Sequence, residues 1–275
     1  MKSIWAQTLV KNEERYLWYA VNSVIDYVDR LLLWDTGSTD KTIQIAKEIE
    51  RRYPRKVNFR EVGEVDAEGF TKVRQKMLDE TDADWFLVLD GDEVWWEGSI
   101  KEVIGEIKDG NIDAIVSPYI NLIGDSYHYQ EEKAGRYQID QKIGNITIRA
   151  FSRRIPGLHV KNPYGLEGYY DKAGKAIQES LDVKRKFIDA PYLHFTHLRR
   201  SGKDKGVMGR AGKVKYELGM PIPLDFYYPE VFFRARLNLV PSPWERRDTN
   251  FLIRAAIETP FRKIKRRIWQ ARVGY

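Results

Sequence analysis

The chain has 275 residues, 43% hydrophobic and 31% charged, enough for one large α/β domain with an appendage or for two modest domains with ample cores. Its 46 Lys and Arg outnumber 40 Asp and Glu, and the excess sits late: seven basic residues against one acid between Arg199 and Lys215, and six against none between Phe261 and Tyr275. No cysteine is present, which excludes disulfides and thiolate metal sites and permits a reducing compartment.

Ile4 to Val10 reads as a first strand. Asn12 is placed to cap a helix in which Tyr16, Ala20, Val24 and Val28 recur every four residues. Leu31 to Trp34 reads as a buried strand running into Asp35-Thr36-Gly37-Ser38-Thr39-Asp40-Lys41-Thr42, a turn rich in capping residues. The helix after it turns Ile43, Ala46, Ile49 and Tyr53 inward. A third strand is expected over 57–62, a helix over 71–80 with Val73 and Met77 facing in, and a fourth strand over 85–89. Strands alternating with helices of this length predict a mainly parallel sheet with right-handed crossovers, and such sheets bind ligands beyond the carboxyl ends of their strands. After a helix from Ser99 to Lys108, residues 113–119 and 145–151 predict further strands, the second alternating as a half-exposed strand does, so the sheet becomes mixed. Residues 152–182, rich in Gly, Pro and Tyr, read as a long loop with a helix near 175–181. A strand is expected from Phe187 to His197. Beyond Ser201 the chain reads as helical and basic, interrupted by Pro221, Pro223, Pro229, Pro241 and Pro243.

The chemistry gathers at Trp85-Phe86-Leu87-Val88-Leu89-Asp90-Gly91-Asp92-Glu93. A buried strand that ends in Asp-x-Asp holds two carboxylates at the sheet's carboxyl edge, where a hard divalent cation can bind without being fully caged. Alone, the motif reads equally well as a solvated turn. Four motifs, however, stand in order: Lys11-Asn12-Glu13, the turn from Asp35 to Thr42, Val73-Arg74-Gln75, and Asp84 to Glu93. Together they resemble the family 2 glycosyltransferases of GT-A fold, most closely over residues 1–125, more faintly to about 200, and not beyond.

That resemblance implies an α/β, Rossmann-like GT-A domain over 1–200, with nucleotide-sugar binding in 1–125 and the acceptor side in 126–200. A helical, basic extension over 201–275 would follow. It implies inverting, metal-dependent transfer of a sugar from a nucleotide diphosphate donor to an acceptor hydroxyl. Thr8, Val10, Asn12, Glu13, Asp35 and Asp66 would hold the nucleoside, with Asp90 and Gly91 beside the donor. Arg74 would face it, with an ordinary solvated helix residue as the alternative, and Gln75 stands where the family usually has Asn. Ser38 and Thr39 read better as helix starters than as ligands. Asp92 would bind Mn²⁺ or Mg²⁺ directly, and Asp90 the ribose or a metal-bound water. His194 is the first choice and His197 the second for a further metal ligand, with a buried structural histidine as the alternative for each. Arg199, Arg200 and Lys203 would close over the diphosphate. Inversion needs a carboxylate to take the acceptor's proton. Glu167 is the first choice for this base and Asp171 the second, with a plain surface-loop acid as the alternative. The His-Glu pair expected there is missing, since His159 stands eight residues before Glu167.

Late in the chain, Ile257, Phe261, Ile264, Ile268 and Ala271 share one helical stripe, with Arg262, Lys263, Lys265, Arg266, Arg267 and Arg272 around it and Trp269 beside it. Thr259 followed by Pro260 reads as the helix start. Such a helix suits either anionic lipid or packing on the domain; the first makes a glycan or lipid-linked acceptor natural, and nucleic acid is the less favoured partner. No apolar run approaches the roughly 20 residues of a membrane span, and the amino end is broken too soon by Lys11, Asn12 and Glu13 to be a signal peptide. A cytoplasmic protein, peripheral on the inner face of the membrane, is the expectation. Two rival readings are a non-catalytic nucleic-acid or membrane binding protein on a GT-A-like fold, and an aspartyl-nucleophile phosphatase. The phosphatase would carry its acids on the first strand, not the fourth.

Overall fold

A computed structural model describes residues 2–268 and 272–273. The chain opens with β1 (Ile4–Val10), α1 (Leu17–Val24), β2 (Arg30–Asp35), α2 (Thr42–Arg52), β3 (Val57–Glu61), α3 (Ala67–Glu80) and β4 (Trp85–Val88). β1 lies between β2 and β4, with β3 outside β2, and all four run parallel. The register sets Val10 beside Asp35 and Gln7 beside Val88, so these strands leave the sheet side by side at one carboxyl edge. That edge is where a wound sheet binds its ligands.

Past β4 the sheet turns mixed. There follow β5 (Glu93–Trp95), α4 (Glu97–Asp109), β6 (Ala114–Ile123), β7 (Asp125–Tyr129), a small hairpin of β8 (Tyr137–Ile139) and β9 (Lys142–Gly144), and β10 (Ile146–Ser152). β10 inserts antiparallel between β4 and β6, and β7 flanks β6 on its other side. A second hairpin joins β11 (His159–Lys161) to β12 (Gly168–Tyr170). β13 (Arg185–Phe187) and β14 (Tyr192–His194) both run parallel to β6, and β14 also pairs antiparallel with β5, which puts His194 opposite Glu93. α5 (Arg210–Lys213) and α6 (Thr249–Ile268) follow.

The core explains the layering. Every residue of α1 is buried, as expected of a helix that is apolar nearly all round. Trp34, Trp85 and Trp95 are fully buried, so these large rings are core rather than groove lining. Val231, Phe232 and Val240 pack into the same cluster as α1, and Tyr19 donates from its hydroxyl to Pro241 O at 2.9 Å.

Several element boundaries depart from the sequence reading. α1 begins at Leu17 because Asn12 has φ +54° and spends its side-chain oxygen on Thr39 N–H at 2.7 Å, tying two turns together instead of capping. α3 starts four residues early, where the Asp66 carboxylate accepts from Gly69 N–H at 2.7 Å. No helix forms over 175–181: Asp171 gathers the N–H groups of Ala173 and Lys175, and Arg185 takes the carbonyls of Ile177 and Ser180. The strand expected from Phe187 to His197 breaks in two around Pro191, which has no N–H for a ladder. The expected helical extension reduces to α5 and α6, since the prolines between them forbid continuous helix. α6 starts at Thr249, with Phe251 N–H bonded to Asp248, and runs through Pro260. Trp269 and Ala271 lie outside the described residues.

Candidate active site

A cavity of about 560 Å³ opens at the carboxyl edge. Asp90, Gly91 and Asp92 lie along it where β4 ends. Val10 ends β1 and Glu13 comes from the turn after it, Arg74 from α3, Arg149 from β10, Glu167 and Tyr169 from the β11–β12 hairpin, and His194, Arg200, Lys213 and Lys215 from β14 onward. Gly91 is required by close approach: a Cβ there would stand 2.9 Å from Val10 Cγ1 and 3.0 Å from Glu13 Cγ.

The two acids of the motif differ. Asp90 has a carboxylate 35% exposed, 3.3 Å from Arg149 and 3.6 Å from Arg74. Burial alone would raise its carboxyl, but the two guanidinium groups outweigh it and hold it at about 2. Asp92 is buried, with Arg200 Nη1 2.6 Å and His194 Nε2 3.7 Å from the same oxygen, Oδ2. Burial again opposes ionisation, and Arg200 followed by His194 keeps the carboxyl below its usual range. Glu93 is fully buried and paired with Arg149, and burial pushes its carboxyl well above the ordinary value. Glu13, enclosed by Arg200 and Arg210, is raised to about 7 by burial in spite of both.

Two lysines also line the cavity. Lys213 donates to Tyr164 Oη at 3.2 Å. Lys215 donates to His197 Nε2 at 2.8 Å, and burial with the nearby Arg266 draws its ammonium down to about 8. His197 Nδ1 lies 2.9 Å from Lys213 O, so both of its ring nitrogens are engaged. His197 lines the cavity but is held here as a link between two segments. His194 differs: burial lowers it to about 4, so it is neutral at pH 7, and its Nδ1 is buried without a partner among the described residues. Asp90 and Asp92 supply the carboxylate oxygens that a hard divalent cation takes, and neutral His194 adds a borderline imidazole donor. They are not gathered into a ready cage, since among the described residues no cluster of three acid or imidazole groups forms one, and Arg200 already holds Asp92.

The other expected residues divide plainly. Val10, Glu13, Arg74, Asp90, Gly91, Asp92, Glu167 and His194 all line the cavity. Thr8 is buried within β1 and does not line it. Asp35 is buried behind it, with its oxygens taken by Gly37 N–H, Ser38 N–H and Ser38 Oγ, while Thr36 next to it does reach the wall. Asn12 and Asp66 are committed to the turn and cap described above. Asp171, the second-choice base, is likewise held in its own turn and does not line the cavity. Of the three basic residues expected over the diphosphate, Arg200 is buried at the site, whereas Arg199 and Lys203 are exposed and off the wall.

Sequence reasoning missed Arg149, Arg210, Lys213 and Lys215 as site residues. Arg149 gave the clearest signal, as a lone guanidinium in the buried run Ile146-Thr147-Ile148-Arg149-Ala150-Phe151 must have an acid partner.

Residues 8–160, more than half of the chain, match the glycosyl transferase family 2 model. The chain belongs to this family. A stretch of 119 residues is 28% identical to the SPbeta prophage-derived glycosyltransferase SunS of Bacillus subtilis (strain 168), covering 41% of this chain and 26% of that protein. The family 2 chain thus spans about a quarter of the length of this curated relative. The solved structure of S. aureus TarS 1-349 in complex with UDP-GlcNAc has the same fold, with a TM-score of 0.50 and 15% identity over 73% of this chain and 60% of that one. The mannosyltransferase PcManGT from Pyrobaculum calidifontis, in complex with GDP-Man and Mn²⁺, gives a TM-score of 0.48 at 13% identity, covering 72% of this chain and 58% of that one.

Proposed function

We propose that this chain moves a glycosyl group from a nucleoside diphosphate sugar to an acceptor hydroxyl, with inversion at the transferred carbon. The observation that carries this reading is the charge of one cavity, where Asp90 and Asp92 share the wall with Arg74, Arg149, Arg200, Lys213 and Lys215. A diphosphate leaving group gains negative charge as the glycosidic bond breaks, and cations already in place stabilise that charge without reorganising. Membership of the family and the TarS neighbour of the same fold, solved with UDP-GlcNAc, support the donor class.

A divalent cation, Mn²⁺ or Mg²⁺, would be held by Asp92, His194 and Asp90, and would supply further positive charge to the diphosphate. Glu167 is the residue to accept the acceptor's proton: it lines the cavity, and its carboxylate is oriented by Gly165 N–H. Arg74, buried in the wall beside Asp90, would keep the donor side of the pocket positive.

The test is a thermal-shift screen of nucleoside diphosphates and their sugars with and without Mn²⁺, followed by determination of the product anomer. A ligand that raises the melting point in wild type and not in Asp92→Asn is the expected result. Absence of any nucleotide response, or a product that retains the donor's configuration, overturns the reading.

A further inference from the structure

A helix lying on a protein normally turns its apolar side inward and its charges to water. α6 does the reverse. Ile253, Ile257, Phe261, Ile264 and Ile268, spaced by four, four, three and four, form one stripe facing away from the domain, and their exposure runs from 57% at Ile264 to 74% at Ile268. The inward side buries Ala255 and Thr259 and sets Phe251 against Tyr216, and its other contacts are polar: Thr259 accepts from Leu218 N–H at 3.0 Å, and Arg266 pairs with Glu217 and, at 3.1 Å, with Glu131. Burying the apolar stripe is therefore not what seats this helix on the domain.

The charges bordering the stripe indicate what would cover it. Between Thr249 and Ile268 there are six basic residues and one acid, Glu258, and Glu258 is paired to Arg254 and Arg262. Lys263, Lys265 and Arg267 are exposed along the edges of the stripe. An apolar band a little over four turns long between cationic borders matches the boundary of an anionic bilayer, where rings and aliphatic chains enter the acyl region and lysine and arginine meet headgroup phosphates. Among the described residues no helix is long and apolar enough to cross a membrane, so this one would lie on the surface.

We propose that α6 docks the chain on a membrane surface rich in anionic lipid, with Ile257, Phe261, Ile264 and Ile268 inserted. α6 lies close to the cavity: Arg266, on its inward face, pairs with Glu217, two residues past the cavity residue Lys215. A chain resting on α6 would hold that end of the cavity near the lipid.

The experiment is co-sedimentation of the full chain with phosphatidylcholine vesicles, with and without phosphatidylglycerol, across a salt series. The expected result is binding to the anionic vesicles that weakens as salt rises, falls at least about tenfold in Phe261→Ser/Ile264→Ser, and falls similarly in Lys263→Glu/Arg267→Glu. All four positions are exposed or bear on no buried contact, so unchanged melting temperatures show that neither pair acts through folding. Equal binding to both vesicle types, or unchanged binding in either variant, overturns the proposal. So does a wild-type dimer by light scattering that the Phe261→Ser/Ile264→Ser change dissolves without any vesicle binding, since a second copy would then cover the stripe.

Discussion

Arg200 Nη1 stands 2.6 Å from Asp92 Oδ2 and 3.1 Å from Glu13 Oε1, so one buried guanidinium joins the turn after β1 to the turn after β4. A buried ion pair adds little net stability over well-packed apolar groups. Removing one partner, however, strands the other charge at a cost of about 3–5 kcal/mol.

The first prediction follows from that asymmetry. Asp92→Ala should lower the melting temperature and abolish transfer, because Arg200 loses its closest partner and the donor loses the acid. Asp92→Ala combined with Arg200→Met should regain most of the stability and none of the transfer, Glu13 keeping Arg210. Denaturant melts and a transfer assay on the three proteins decide it; turnover returning in the double variant would contradict the role given to Asp92.

Glu167 and Asp171 separate by position. Glu167→Gln leaves the cavity's shape but removes the proton acceptor, so kcat should drop by about 10²–10⁴ while donor affinity changes little. Asp171→Asn touches the turn that binds Ala173 and Lys175 and the contact to Ser180, all away from the cavity wall, and kcat should stay near wild type. A larger kcat loss in Asp171→Asn than in Glu167→Gln reverses the assignment.

The parts of this fold that could be read from sequence are those fixed by neighbours in the chain. β1 to β4 are short apolar runs ended by turn residues, and the acids follow the last of them directly, so both the sheet edge and Asp90 and Asp92 are local signals. Resemblance points to His194, but its delivery opposite Glu93 depends on β14 pairing with both β5 and β6, which no local pattern reveals. Arg149 lay in a strand whose alternation was legible while its partners, Glu93, Asp90 and Tyr192, were not. The start of α6 was misplaced because Thr259-Pro260 is a strong local start signal. Pro260 lies on the exposed side of the helix, and the helix continues through it.

Lys215 yields a prediction in which stability and binding move in opposite directions. Burial and Arg266 lower its ammonium from 10.5 to about 8, so the folded chain resists a proton that the unfolded chain keeps. Between those values the unfolded state holds more protons, and this group's contribution makes stability rise with pH. Donor binding needs the cation and should weaken over the same window, by roughly tenfold if one charge-assisted bond to phosphate is lost. Calorimetric titration of the donor against pH, in wild type and Lys215→Met, checks this. A wild-type profile that stays flat through pH 8 removes Lys215 from the diphosphate site.

Arg149 gives the last prediction. It pairs with Glu93, stands 3.3 Å from Asp90, and donates through Nε to Tyr192 Oη at 3.0 Å, a fork that no lysine can reproduce. In Arg149→Met, Glu93 remains fully buried with its principal cation gone. Its carboxyl, already raised well above the usual range by burial, should go higher still. A carboxyl raised on folding stabilises the native state while it is protonated, and that contribution is lost as pH rises through its folded value. The variant should therefore differ least from wild type in acid and progressively more toward neutral and alkaline pH. Paired melts at pH about 5 and about 8 measure the gap directly. A gap that does not widen would mean that Glu93 finds another partner, and that Arg149 serves Asp90 and the cavity rather than the buried acid behind it.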